Sequence, residues 1–348
     1  MPRVLVTGAV GQIGSELVIA LRERYGSPNI IAAGHETPPS AGLRDSGPFE
    51  LIDVTDKQSV AAVLNKYDID RIFHLAGILS AVGEENPGIC YEVNVGGFKT
   101  ILELSRERGI SQVFFPSSIA AFGRITPRDR TPQDTILSPS TMYGITKVTG
   151  ELFGDYYYHR YGLDVRGVRY PGIISSETLP GGGTTDYAVD IFYAAVAGKR
   201  YSCFVREDTV LPMMYMPDAI KAAISLMEAE LSGLEHHSNF NLTAMSFSAG
   251  DLAREIKKHV SGFEVEYAPD FRQGIADSWP RSIDDSAARR EWGWKPDYDL
   301  GAMTVDMLDK LTRRFREGRL YRKSAPVEGE TEGKDAPPPQ IRINTSCK

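Results

Sequence analysis

Tyr143 and Lys147, in the run Tyr143-Gly144-Ile145-Thr146-Lys147, are the residues whose types and spacing most directly suggest chemistry. Residues 143–161 read as a helix, and an i,i+4 spacing puts phenol and ammonium on one face of it. A phenol ordinarily titrates near about 10, too high for a good base at neutral pH. A neighbouring cation stabilises the phenolate, so the pair is expected to take a proton from a hydroxyl. Ser117 and Ser118 follow a strand over residues 113–116, and one of them is placed to hydrogen-bond the reacting oxygen. Alone, Tyr-x-x-x-Lys is common on solvated helix faces; its weight here comes from its company.

That company begins near the N-terminus. Thr7-Gly8-Ala9-Val10-Gly11-Gln12-Ile13-Gly14 joins an apolar strand to a helical pattern. Glycines so placed allow a tight turn, close approach to a pyrophosphate and close helix–strand packing, with phosphates at the helix N-terminus. A dinucleotide site is expected. Such folds place an acid about 20 residues further on, at the end of the second strand, to hold the ribose 2′-hydroxyl. Here the run Ala33-Gly34-His35-Glu36 puts Gly34 in that slot, with Glu36 able to reach in only from the loop. No Lys or Arg stands nearby for a 2′-phosphate, so NAD is preferred over NADP. Asp53, after the third strand, is an expected adenine contact and equally a cap for a helix starting near Lys57.

The elements that must position these residues alternate. Strand-like runs at residues 4–7, 30–33, 49–52, 71–75, 113–116 and 165–169 are separated by helical patterns such as 13–24, 60–67 and 95–108. Several runs are apolar throughout, as in strands buried on both faces. The expected fold is α/β, a Rossmann-type doubly wound parallel sheet, with a smaller interleaved α/β substrate-binding lobe. Residues 1–172 form the dinucleotide domain, to which residues 210–245 return; 173–209 and 246–318 form the lobe. Within these, a helix is read at 186–197 and 218–229, and short strands at 211–215, 240–242 and 265–267. Residues 324–348 read as a disordered acidic, proline-rich tail.

Composition narrows the class. The 348 residues carry 39 Lys+Arg against 46 Asp+Glu, a net charge of −7, which argues against nucleic-acid binding. No apolar run is long enough for a membrane span, and no targeting segment is expected before the first strand. Cys90, Cys203 and Cys347 are scattered, which favours a reducing, cytoplasmic location and no bound metal. His74 and the pair His236-His237 lack ligand-spaced partners and read as structural.

Taken together, Gly8/Gly11/Gly14, Leu75-Ala76-Gly77, Asn94, Ser118 and Tyr143/Lys147 resemble the extended short-chain dehydrogenases/reductases. More narrowly, the chain resembles the NAD-dependent L-threonine 3-dehydrogenases related to UDP-galactose 4-epimerase. That match is carried by Arg169-Tyr170-Pro171-Gly172-Ile173-Ile174-Ser175, residues 180–189, Leu211-Pro212-Met213-Met214-Tyr215-Met216-Pro217-Asp218 and Asp277-Ser278-Trp279-Pro280. It reaches to about residue 311 and departs at Gly34 and in the tail. The resemblance implies further NAD contacts at Gln12, Ile13, Ile52, Pro116, Tyr170, Gly172 and Ile173, with Lys147 on the nicotinamide ribose.

It also implies a substrate site. Sugar-nucleotide relatives carry Asn at the place of Gly172, whose absence suits a smaller substrate. Thr184, Thr185 and adjacent amides would hold a carboxylate, Asp186 or backbone carbonyls an ammonium, with Ser80 and Trp279 completing the pocket. Apart from the resemblance, residues 184–186 equally suit a loop with a helix cap, and Trp279 equally suits core packing. The expected activity is oxidation of L-threonine at C3, with Tyr143 as base, by a homodimer paired, as the resemblance implies, through the helix bearing Tyr156-Tyr157-Tyr158 and the one before it. A sugar-nucleotide epimerase or dehydratase, or a non-catalytic nucleotide sensor, are the rival readings.

Overall fold

Each apolar run becomes a strand of one parallel sheet in the computed structural model, which describes residues 1–179, 181 and 183–320. The tail expected at 324–348 lies outside the described residues, as do Pro180 and Gly182. In chain order the strands are β1 Val4–Thr7, β2 Ile30–Gly34, β3 Phe49–Leu51, β4 Arg71–His74, β5 Gln112–Ser118 and β6 Asp164–Tyr170. They continue with β7 Gly172–Ile174, β8 Tyr201–Cys203, β9 Val210–Tyr215, β10 Phe240–Asn241, β11 Met245–Ser248 and β12 Val265–Tyr267. The main sheet runs β10-β6-β5-β4-β1-β2-β3. All its pairings are parallel. Strand order reverses between β1 and β4, and the crevice at such a reversal is where these sheets bind ligands.

Strand periodicity divides the core. Val4 and Val6 pack with Leu17, Val18 and Leu21 of helix Gln12–Tyr25 and with Ala219 and Leu226 of helix Met216–Glu228. Leu5 points the other way, toward Val60, Phe98 and Ile101 under helices Lys57–Lys66 and Phe98–Arg108. Successive side chains leave a strand on opposite faces, so a fully apolar strand requires helices on both.

The chain leaves the main sheet at Pro171, which has no N–H to donate. Of the segment 210–245, β10 pairs with β6, and the helix Met216–Glu228 packs on the main sheet. The strand expected at 211–215 does not return to that sheet: β9 pairs with β7 and β11 in a separate sheet of three. A further hydrophobic core gathers Tyr187, Ile191 and Phe192 of helix Tyr187–Val196 with Leu252, Ile256, Met303 and Met307. Ala287, Ala288 and Trp294, from the 246–318 segment, pack instead in the core of the main sheet.

One helix departs from its expected form. Residues 95–108 begin as a π-helical stretch, Glu92–Gly97, before the α-helix Phe98–Arg108. Stretches of this kind are rare and often sit at functional sites. This one carries Asn94.

Candidate active site

The turn after β1 shows why its glycines are required. Gly8 has φ +68, and a Cβ there would lie 2.6 Å from the Ala76 nitrogen. A Cβ on Gly14 would lie 2.2 Å from the Gly8 carbonyl oxygen. Gly11 precedes helix Gln12–Tyr25 with no side-chain cap, and no acid stands in the first turn. The orphan amides of that turn therefore face the crevice end of a 14-residue helix, an arrangement suited to a pyrophosphate. The buried Nε2 of Gln12 has no partner within the protein. These features fit NAD, for which Gly8, Gly11, Gln12, Ile13 and Gly14 are the expected phosphate cradle.

The other residues expected to contact the cofactor lie at the same carboxyl edge. Ile52 and Asp53 follow β3, Leu75, Ala76 and Gly77 follow β4, Pro116 is in β5, Tyr170 ends β6, and Gly172 and Ile173 begin β7. Asn94 is 5 % exposed and braces this edge. Its Oδ1 accepts from the Ile78 N–H at 2.7 Å, while Nδ2 donates to the Ile78 carbonyl at 3.1 Å and to Thr146 Oγ1 at 3.0 Å. Asp53 Oδ1 accepts from the Thr55 hydroxyl and N–H, which hold its carboxyl below the usual range. The expected helix cap is corrected: Asp56, not Asp53, caps helix Lys57–Lys66.

Tyr143 and Lys147 occupy helix Met142–Tyr161, capped by Thr141, whose hydroxyl accepts from the Gly144 N–H at 3.1 Å. Lys147 Nζ donates to the Pro116 carbonyl at 2.7 Å and lies 5.2 Å from the Tyr143 ring centroid. The Ser118 side chain draws the pKa of the Tyr143 phenol downward, and its Oγ also accepts from the Ala120 N–H at 3.2 Å. Of the two serines, strand alternation selects Ser118, because Ser117 turns inward and donates to Glu151 at 2.5 Å.

The electrostatics correct one expectation. Tyr143 is not lowered; burial pushes it up to about 12, against the pull of the Ser118 hydrogen bond. Lys147 is itself pushed down by burial to about 8, opposed by Cys90 and Glu151. Desolvation is the largest cause for both groups and disfavours both charged forms.

Ser80 and Thr184, far apart in sequence, come together with their hydroxyls 3.4 Å apart, both buried. Ser80 opens the helix Ser80–Glu85, where a Cβ on Gly83 would lie 3.8 Å from Tyr143 Cβ. Ser80 therefore belongs to an element docked on the Tyr143 helix. Thr185 packs against Gly172: a Cβ there would lie 2.8 Å from Thr185 Cγ2 and 2.3 Å from Met213 Sδ. Glycine at this position thus leaves room for its own neighbours. Asp186 accepts from the Gly183 N–H at 2.7 Å and precedes helix Tyr187–Val196. Trp279 is 4 % exposed in the same hydrophobic core as Tyr187 and Met303, its carbonyl accepting from Arg128.

His74 is buried, its Nδ1 2.9 Å from Thr7 Oγ1. Glu235, His236 and Glu291 bring three ligand-type atoms together. His236 and Arg290 both engage Glu291 there, at 2.8 and 3.2 Å. Sequence reasoning missed Glu151 and the partnership of Arg169. Both were visible in principle: Glu151 lies one turn beyond Lys147, and Arg169 is a charge within a buried strand.

A parallel sheet with a glycine cradle at its reversal, and a Tyr–Lys pair with a serine beside it, define a Rossmann-fold dinucleotide-dependent enzyme. The chain belongs to the NAD dependent epimerase/dehydratase family, which it matches over residues 4–242. It is 46% identical over 315 residues to an uncharacterized epimerase/dehydratase of Staphylococcus haemolyticus, covering 90% of this chain and 99% of that one. It is 51% identical to the solved L-threonine dehydrogenase of Clostridium difficile, with a TM-score of 0.88 over 90% of this chain and 98% of that one. It is 49% identical to the holo form of a GalE-like L-threonine dehydrogenase from Cupriavidus necator, with a TM-score of 0.86 over 89% and 100% of the two chains.

Proposed function

We propose that the chain is an NAD-dependent L-threonine 3-dehydrogenase, oxidising the C3 hydroxyl of L-threonine to give 2-amino-3-oxobutanoate and NADH. What carries this reading is the 51% identity to a solved L-threonine dehydrogenase across 90% of the chain. The proximity of Ser118, Lys147 and the Ser80 helix to Tyr143, and of Ser80 to Thr184, supports it. When bound, NAD supplies the acceptor for the hydride leaving C3, and its oxidised ring is a cation. Tyr143 Oη takes the hydroxyl proton as the carbonyl forms, and Ser118 steadies the oxygen. Lys147 holds the nicotinamide ribose and favours the phenolate, which burial alone disfavours. Thr184 and Thr185 bind the carboxylate and Asp186 or nearby carbonyls the ammonium, with Ser80 and Trp279 closing the pocket. These grips hold C3 in reacting position.

The enzyme works as a homodimer. Ile145, Leu152, Tyr156 and Tyr161 leave an exposed apolar stripe on helix Met142–Tyr161, with Ile89 and Tyr91 exposed on the preceding helix or its end. Among the described residues no helix is long and apolar enough to cross a membrane. The buried free thiols of Cys90 and Cys203 support a cytoplasmic setting.

Protein, NAD and L-threonine together should raise NADH absorbance. A Tyr143→Phe variant should lose about 10²- to 10⁴-fold in kcat while still binding NAD. Turnover of a UDP-sugar without net NADH, and none of threonine, refutes the reading.

A further inference from the structure

At the end of β2, where dinucleotide folds ordinarily present an acid to the adenosine ribose, this protein presents none. That acid does two things: it accepts from the 2′-hydroxyl of NAD, and its charge repels the 2′-phosphate of NADP. Gly34 closes β2 instead, buried, with its carbonyl accepting from the Ile52 N–H at 2.8 Å. A Cβ at Gly34 would stand 3.1 Å from Phe49 Cζ and 3.2 Å from Val10 Cγ1. Two apolar side chains therefore crowd the slot itself.

The charges that flank it do not replace the acid. Asp53, across the sheet edge after β3, has one oxygen occupied by Thr55, and its other lies 3.9 Å from His35 Nε2. His35 and Asp53 side chains are 61% and 43% exposed, and Glu36 is exposed on the loop. Charges this wet act through high dielectric and are screened within about 10 Å, so they repel a phosphate far less than a partly buried carboxylate would. No Lys or Arg lies in residues 33–39 to attract one.

We propose that this chain separates NAD from NADP only weakly, because Gly34 removes both the hydrogen-bond acceptor that favours the ribose and the charge that excludes its phosphate. The inference rests on the NAD site described under the proposed function. It assigns Gly34 as the position that sets cofactor selectivity.

Isothermal titration of the full chain with NAD and with NADP, without substrate, tests it. The two dissociation constants should lie within about tenfold of each other. Gly34→Asp, which asks only Phe49 and Val10 to give by a few tenths of an ångström, should widen that ratio by about tenfold or more, chiefly by weakening NADP. A wild-type protein that binds NAD and excludes NADP by more than tenfold overturns the inference and leaves the NAD reading standing. So does a Gly34→Asp variant that melts like wild type with its ratio unchanged. Binding of neither nucleotide overturns the NAD reading, and this inference with it. The wild-type ratio decides the matter even if the variant does not fold.

Discussion

Replacing Arg169 by Met should destabilise the protein severely, and the reason lies one helical turn from Lys147. The Arg169 and Glu151 side chains are 2% and 3% exposed. Arg169 Nε and its terminal nitrogen donate to the two Glu151 oxygens at 2.9 and 2.8 Å. Its other terminal nitrogen donates to the Gln133 carbonyl at 3.0 Å and to Asn241 Oδ1 at 3.1 Å. Removing the guanidinium leaves Glu151 with the Ser117 hydroxyl as its one remaining side-chain donor in this network. An uncompensated buried charge of this kind costs about 3–5 kcal/mol, a large share of the roughly 5–15 kcal/mol that holds a domain together. The double variant Glu151→Met, Arg169→Met strands no charge, only the Ser117 hydroxyl and the acceptors of Gln133 and Asn241, at about 1–3 kcal/mol each. Denaturant unfolding of the wild type, both single variants and the double gives the coupling directly. Arg169→Met within about 1 kcal/mol of wild type, or a double variant as unstable as the two singles summed, would falsify the reasoning.

Other outcomes follow from the same site. Gly172→Ala should force Met213 and Thr185 aside, since its Cβ would lie 2.3 and 2.8 Å from their side-chain atoms. Overpacking of this size costs about 1–3 kcal/mol, and the displaced Thr185 should raise the KM for threonine by about tenfold or more with a smaller change in kcat. An unchanged KM in steady-state assays would count against a substrate role for Thr185. Lys147, pushed down to about 8 in the fold from an ordinary value near 10.5, sheds its proton in the native state before the unfolded one. Between pH 8 and 10 the unfolded chain therefore binds more protons, and stability rises with pH; as pH falls through that window the gain disappears, to a limit of about 3 kcal/mol. Lys147→Met should remove this rise in chemical denaturation measured across that range. Leu152→Asp, on the exposed apolar stripe of helix Met142–Tyr161, should yield monomers in sedimentation; dimers of undiminished strength would place the seam elsewhere.

Much of the fold was legible in the sequence because its signals are local. Strands buried on both faces must be apolar throughout, so β1, β2 and β5 announce themselves, and the βα rhythm fixes a parallel sheet. Gly8, Gly11 and Gly14 declare a tight strand–helix turn, where at Gly8 and Gly14 only glycine tolerates the close backbone approach, and Tyr143 and Lys147 declare a shared helix face by spacing alone. The resemblance, not periodicity, supplied the substrate residues. Tertiary structure decided what depends on distance across the chain. It turned Ser117 inward onto Glu151 and joined Ser80 to Thr184 across 104 positions. It moved β9 out of the main sheet and built the Glu151–Arg169 pair behind Lys147. It also reversed the expected shift of Tyr143, because desolvation depends on everything packed around a phenol, whereas sequence spacing reports only its nearest cation.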